Sequence, residues 1–525
     1  MYIRTGRPEF DNLPDMVQGF LEKDILDLVI DGKKIRGYRS PVAKSVWIRD
    51  YSDMMRGFRY FEKDLKSTVS HFADTQSLNG RIFDYFTTYP EKLPCERENW
   101  TKYVRVPVEA DVEYRFIKAA WIAWQATGDD SFIRDLLPCF EKALAYIMNS
   151  WYWDKVKFLV KRPYTIDTWD FAYTAGRSDW LQFQIDENTF WGYMHGDNSG
   201  YYEAFTIMSH WYSYFGKRKL SADWRSKALR IKESMNRYCW NGQYYTHFIK
   251  ITPVTVPGTD EPNQLSLSNP MNINRGVTDY KMAGSIIREY QKRKAESGAF
   301  AEWFSIDPPF PDGIFGDEKL IAGAYCNGGI MPLVGGELAK AALENGFERY
   351  GVEILRRYYT LISEKGETYL WYFPDGRISA AETSTSPDAT PTDGWGSSAM
   401  LYALAEGLAG VIDLKKELKT VRISIRWEAA DVTEAEVMID YPASDNYIKY
   451  FYSVKNDRIG LEIEGSPEEI EIEILLPVNK KVVSSSFPGA EVKSVAKNRA
   501  WEKYFRCKIK KSSSRAAITI NLSAT

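Results

Sequence analysis

The hydrophobic spacing of this chain changes once, near residue 414, from the period of helices to the period of strands, and a chain patterned that way has to build two kinds of layer. Val112, Phe116, Ala119 and Ala123 fall on one helix face that Gly128 closes. Asp129, Asp130 and Ser131 then open a second helix facing inward through Phe132, Leu136, Phe140, Leu144 and Ile147, which makes an αα-hairpin. A further hairpin joins Ala204, Ile207, Trp211 and Phe215, ended by Gly216, to Trp224, Ala228, Ile231 and Met235 behind Ser221. The pattern returns at 276–293, from Leu338 to Ala342, at Val352, Leu355, Tyr359 and Ile362 before Gly366, and at 396–410. Residues from about 40 to 410 give room for six hairpins of roughly sixty residues, the length that two helices with long loops occupy.

Beyond residue 414 the apolar residues alternate: Val421, Ile423, Ile425 and Trp427; Ile459, Leu461 and Ile463; Ile470, Ile472 and Ile474; Ile518, Ile520 and Leu522. The expectation is a mainly α protein, an (α/α)6 toroid of helical hairpins over 1–413 with a C-terminal antiparallel β-sandwich over 414–525. The stretch 251–275, rich in Pro, Thr, Asn and Ser, reads as a loop long enough to wall a cleft.

Charge and composition narrow the function. Lys and Arg total 68 against 71 Asp and Glu, a balance without the basic excess of a nucleic-acid binder. No apolar stretch approaches the ~18 residues of a membrane span, and the start MYIRTGRPEF lacks a secretory apolar core, so the expected location is cytoplasmic. Cys95, Cys139, Cys239, Cys326 and Cys507 are scattered, and the four histidines form no HExxH pattern, so neither metal nor cofactor is expected. Carboxylates are left to carry the chemistry. Aromatic residues make up 15% of the chain, and such rings both fill helical cores and stack on sugar faces.

Five stretches that interrupt the helical pattern collect polar and aromatic residues, and in a toroid such loops gather around a central funnel. In 45–51, Trp47 offers a stacking face while Arg49 and Asp50 offer a donor and an acceptor for adjacent hydroxyls, or a local ion pair. In 164–171, Asp167 and Asp170 flank Trp169, and a carboxyl against aromatic rings can stay protonated as a general acid needs, although either could cap a helix. In 195–203, His195 and Asp197 sit beside glycines at a helix start. In 325–332, Asn327 precedes a Gly-Gly pair that permits close backbone approach or a tight turn. In 381–396, Glu382 and Asp393 lie among Thr and Ser before Trp395, a wet surround suited to a base that activates water.

Trp47-Ile48-Arg49-Asp50 resembles the WxRD motif of glucoamylase-type enzymes, Trp169-Asp170-Phe171 resembles the WDF of trehalases, and Glu382 followed by Gly394-Trp395-Gly396 resembles the C-terminal base motif, in the same order along the chain. Together these resemble the six-hairpin glycosidase superfamily. The resemblance implies that Asp170 is the general acid, Glu382 the general base, and Arg49 with Asp50 the grip on the terminal sugar of an inverting, exo-acting glycoside hydrolase. Trp47, Trp169 and Trp395 are the candidate stacking walls, and His195, Asp197 and Asn327 complete the candidate sugar contacts. The chain departs from the trehalase signature after Phe171, where it continues Ala172-Tyr173-Thr174, and the glucoamylase acid is a Glu where Asp170 stands. Asp167 and Asp197 are therefore alternative acids. A phosphorylase on the same toroid needs cationic donors near Glu382, and 381–396 holds no Lys, Arg or His. A sugar epimerase or lyase would lean on His or Tyr, and His195 is the one histidine in these loops. A carbohydrate-binding protein without turnover is the reading from a different class.

Overall fold

The computed structural model describes the whole chain except residues 42–44, 88–95, 98–101, 105–109, 168–170, 178–184, 381, 384–390, 487–490, 495–502, 511–514 and 525. Six inner helices, Ile48–Phe58, Val112–Thr127, His195–Tyr214, Ser268–Asn274, Pro332–Glu344 and Gly394–Tyr402, pack each against the next, and the last packs against the first. The ring is closed. Ser67–Asp74, Asp130–Asn149, Arg218–Tyr238, Tyr280–Ser297 and Glu348–Lys365 follow the first five inner helices as an outer layer. The sixth inner helix takes its outer partner from the other end of the chain, Leu13–Lys23.

The two layers differ in sequence because they differ in surroundings. Arg218–Tyr238 buries only Trp224, Ala228, Ile231 and Met235, the single stripe its spacing predicts. The inner helix Ile48–Phe58 leaves only Asp50 unburied, so it has no polar face for a pattern to reveal. Asp130–Asn149 turns slightly from expectation: Ile133 and Ala143 are buried, while Phe132 and Leu136 are partly exposed. Gly128 and Gly366 end their helices in the left-handed conformation at φ 68° and 67°. The helix expected at 276–293 runs over Tyr280–Ser297, because Asp279 caps it by accepting from the Met282 N–H at 2.8 Å. The stretch 251–275 is not all loop: it contains the fourth inner helix, seven residues too short and too polar to show a period.

The strand region forms two sheets. One runs Val411–Asp413, Thr420–Ile425, Glu469–Leu475, Lys503–Lys510, Glu491–Ser494, and the other Tyr2–Arg4, Glu434–Tyr441, Asn446–Lys455, Arg458–Gly465, Arg515–Ala524, Lys480–Ser485. Among the described residues every pairing in them is antiparallel except Thr420–Ile425 with Glu469–Leu475, which is parallel. The alternating Val, Ile and Leu residues read from the sequence are all buried. One core runs from the ring into the sheets, with Phe10 edge-on to Trp427 at 5.8 Å. Among the described residues no helix is long and apolar enough to cross a membrane.

The fifth and sixth inner helices approach through Gly335 and Gly336: a Cβ on Gly336 would run into the backbone of Ala399, and one on Gly335 would meet Met400 and Trp303. Gly336→Ala should therefore lower stability by about 1–3 kcal/mol through overpacking. Urea unfolding checks this, and a midpoint equal to wild type would show that the two helices part without cost.

Candidate active site

The first four inner helices bring residues at or near their first turns to a narrow polar cavity. Arg49 enters it from the first helix, Asp111 and Arg115 from the second, Asp197 from the third and Ser268 from the fourth, with Arg162 and Asp167 from the segment between the second and third. That segment is anchored by a small sheet in which Arg162–Pro163 pairs with Trp191–Met194, the strand leading directly into the third inner helix. Gly196 permits the remaining close approach, since a Cβ there would collide with Ser268.

Charges alternate around the cavity. Arg49 donates to Asp111 from Nε at 2.8 Å and Nη2 at 3.1 Å, a fork-to-carboxylate pair. Burial works against the Asp111 charge, but Arg49 and Arg115 outweigh it and hold this carboxyl far below the usual range. Arg162 Nη1 lies 3.2 Å from Asp197 Oδ2. Burial dominates at Asp197 and pushes its pKa up to about 6, with Arg162 offsetting only part of the cost. Asp167 is also buried, yet His195, Ser268, His247 and Ser266 together bring its pKa below the ordinary value. Beneath the cavity Arg115 donates to Asp53 at 2.6 Å, Arg56 pairs with Glu337, and Lys118 pairs with Glu203. Among the described residues no three His, Cys, Asp or Glu side chains come together as metal ligands.

The sequence candidates separate on this geometry. Arg49 and Asp197 line the cavity. Asp50 turns away and pairs with Arg39, so the expected Arg49–Asp50 grip is replaced by Arg49–Asp111. Trp47 stacks on Tyr85 with ring centroids 4.1 Å apart. His195 is a correction: fully buried between Ser266 and Asn272, it offers the cavity no atom. Asn327 is another, since its amide is spent on the backbone of Phe310 and Leu320. Trp395 is a third, 4% exposed, with its indole N–H donated to Asp53 at 2.7 Å instead of a face turned to a sugar. Asp393 caps the sixth inner helix through the Trp395 and Gly396 N–H groups, and burial pushes it up to about 6. Glu382 sits exposed in a turn on the segment leading into that helix. Trp169 and Asp170 lie outside the described residues, directly after Asp167 and Thr168.

Asp111, Arg115, Arg162, Ser266 and Ser268 were not among the expected site residues. Arg115 and Asp53 each share their helix with further charged residues, so charge inside a helix did not single them out. Nothing local marks Arg162 or Ser266.

No protein-family model matches the sequence, and no curated protein matches it. Solved structures do. A GH78 family rhamnosidase of Bacillus sp. GL1 aligns over 90% of this chain and 42% of its own at a TM-score of 0.58 and 16% identity. A Streptomyces avermitilis α-L-rhamnosidase complexed with L-rhamnose aligns over 99% and 42%, at 0.57 and 12%. A Klebsiella oxytoca rhamnosidase with rhamnose bound aligns over 78% and 66%, at 0.52 and 12%. The chain thus spans less than half the length of the first two. The chain shares the fold of these structures, an (α/α)6 toroid joined to a β domain.

Proposed function

We propose that the chain is an inverting, exo-acting glycoside hydrolase that removes a terminal sugar from a small glycoside or oligosaccharide. The observation that carries the reading is the cavity at the inner-helix N-termini, where guanidinium donors and carboxylate acceptors alternate as adjacent sugar hydroxyls require. The shared fold of the rhamnosidases supports it and makes α-L-rhamnosides the first substrates to try.

In this reading Asp170 protonates the glycosidic oxygen, three residues beyond an Asp167 that already reaches the cavity. Glu382, exposed on the segment leading into the sixth inner helix, accepts the proton of a water attacking from the opposite face. Inversion needs the two carboxyls ~6.5–9.5 Å apart, with the water between them. Trp47 and Trp169 would wall the sugar. Asp197 is the second candidate for the acid, since a carboxyl pushed up to about 6 keeps its proton in weakly acidic solution.

A panel of α- and β-glycosides, with and without phosphate, followed by proton NMR of the product anomers, tests the reading. The expected result is the inverted anomer released without phosphate. Retention of configuration would exclude the mechanism, and a strict phosphate requirement would make the chain a phosphorylase. Asp170→Asn and Glu382→Gln should each lose at least ~100-fold in rate with the fold intact. A loss of that size in Asp197→Asn, with Asp170→Asn still active, would move the acid to Asp197.

Asp197 should also mark the stability profile. Its unfolded pKa is about 3.9 and its folded value is raised to about 6. The folded state therefore holds the extra proton between those values, so the contribution is full below about pH 4 and is lost as pH rises through 6. Relative to wild type, Asp197→Asn should lack this fall between pH 4 and 6 in urea unfolding; parallel curves would mean that Asp197 does not titrate there.

A further inference from the structure

The buried groups that the proposed chemistry leaves unused form a chain of hydrogen bonds behind Asp167. Asp167 Oδ2 accepts from Ser266 Oγ at 2.9 Å and from the Ser268 N–H at 3.3 Å. Ser266 Oγ is in turn 3.0 Å from His195 Nε2, and His195 Nδ1 is 2.8 Å from Asn272 Nδ2. The direction of every link follows from chemistry. An ionised carboxylate only accepts, so the hydroxyl proton of Ser266 points at Asp167. The oxygen of Ser266 must then accept from His195, which places the imidazole proton on Nε2 and leaves Nδ1 to accept from the amide of Asn272. A second histidine holds the same residue by its backbone: His247 Nε2 accepts from the Asp167 N–H at 3.2 Å. Burial keeps both rings neutral, with pKa values lowered to about 4.

Oδ2 is thus fully engaged, while among the described residues nothing donates a hydrogen bond to Oδ1, on a residue that lines the cavity. We infer that Asp167 is a fixed hydrogen-bond acceptor for a hydroxyl of the bound sugar, and that His195 is a positioning residue that orients it through Ser266 without touching the sugar. A carboxylate clamped at one oxygen and free at the other takes only a donor, so it selects a sugar with an equatorial or axial hydroxyl at that spot over its deoxy analogue. The inference rests on the glycoside-hydrolase reading and reassigns Asp167 from alternative acid to substrate-binding residue.

Three variants and one spectrum test it. Asp167→Asn and Ser266→Ala should each raise KM, or the dissociation constant for the released monosaccharide, about ten- to a hundred-fold, the range for a hydrogen bond to a charged group. Ser266→Thr, which keeps the hydroxyl, should restore most of it. The loss should shrink on the one deoxy substrate that lacks the matching hydroxyl. Nitrogen-15 spectra of histidine-labelled protein, assigned with His195→Gln, should show His195 protonated on Nε2 and not titrating above about pH 5. Unchanged KM in a folded, active Asp167→Asn enzyme would overturn the acceptor role, and an Nδ1 proton on His195 would overturn the relay. If the wild type turns over no glycoside and binds no monosaccharide, the proposed function itself falls and the sugar role of Asp167 with it, while the histidine spectrum still decides the relay.

Discussion

A charge inside a ring of helices has to meet its opposite there, because leaving one partner of a buried pair alone costs several kcal/mol. Asp53 meets that requirement for three inner helices at once: it lies on the first, accepts from Arg115 on the second at 2.6 Å, and accepts from Trp395 on the sixth at 2.7 Å. Arg56 reaches from the first helix to Glu337 on the fifth, and Glu203 on the third takes Lys118 from the second and Arg275 at the end of the fourth. Each pair joins different helices, so the rotation of each helix about its own axis is fixed by its neighbours. Apolar packing alone would tolerate a slip that these contacts forbid.

The same constraint makes the cavity useful. The charges that line it are as buried as those beneath, and Arg49–Asp111 joins the first helix to the start of the second there as Arg115–Asp53 does below. They are not equivalent. Asp111, gripped by two guanidiniums, is held ionised, whereas Asp197 faces one guanidinium at 3.2 Å and is pushed up to about 6. Two carboxyls in one cavity are thereby set apart by surroundings, the condition under which one site can both accept and deliver protons. Because the partners sit on rigid helices, little reorganisation is needed when a polar ligand arrives.

How much of this was legible depended on whether a residue's surroundings are written next to it in the chain. Outer helices and strands were, since one face meets the core and the other meets water: Trp224, Ala228, Ile231 and Met235 and the alternating Ile residues of 459–474 are buried as the periods imply. Four inner helices showed helical spacing, at 112–123, 204–215, 338–342 and 396–410, whereas Ile48–Phe58 and the seven-residue Ser268–Asn274 showed none. Of the five stretches, three reach the cavity, through Arg49, Asp167 and Asp197, and several other residues in the five face elsewhere. His195, Asn327 and Trp395 have side chains equally able to hold a sugar or a backbone, and composition cannot say which. Asp111, Arg162 and Ser266 acquire their partners from 35 to 99 residues away, as with Ser266 and Asp167, and no local pattern encodes such a pairing.

The β domain reaches the ring through the helix that follows Glu382. That sixth inner helix passes into a π-helical turn, Ala403–Leu408, where backbone hydrogen bonding is irregular and support has to come from elsewhere. The sheets supply it: Arg426 donates to Gly407 O at 2.6 Å, Tyr450 to Ala409 O at 2.8 Å, and the Ser424 N–H to Gly410 O at 2.8 Å. The N-terminal segment grips the same element from the other side, since Leu13–Lys23 packs on Gly394–Tyr402 while Tyr2–Arg4 extends the sheet beside Glu434–Tyr441. The last helix of the ring is thus held by contacts from both ends of the chain. Since the Glu382 segment leads into that helix, the contacts of the sheets with Gly407, Ala409 and Gly410 fix the far end of the element that follows it.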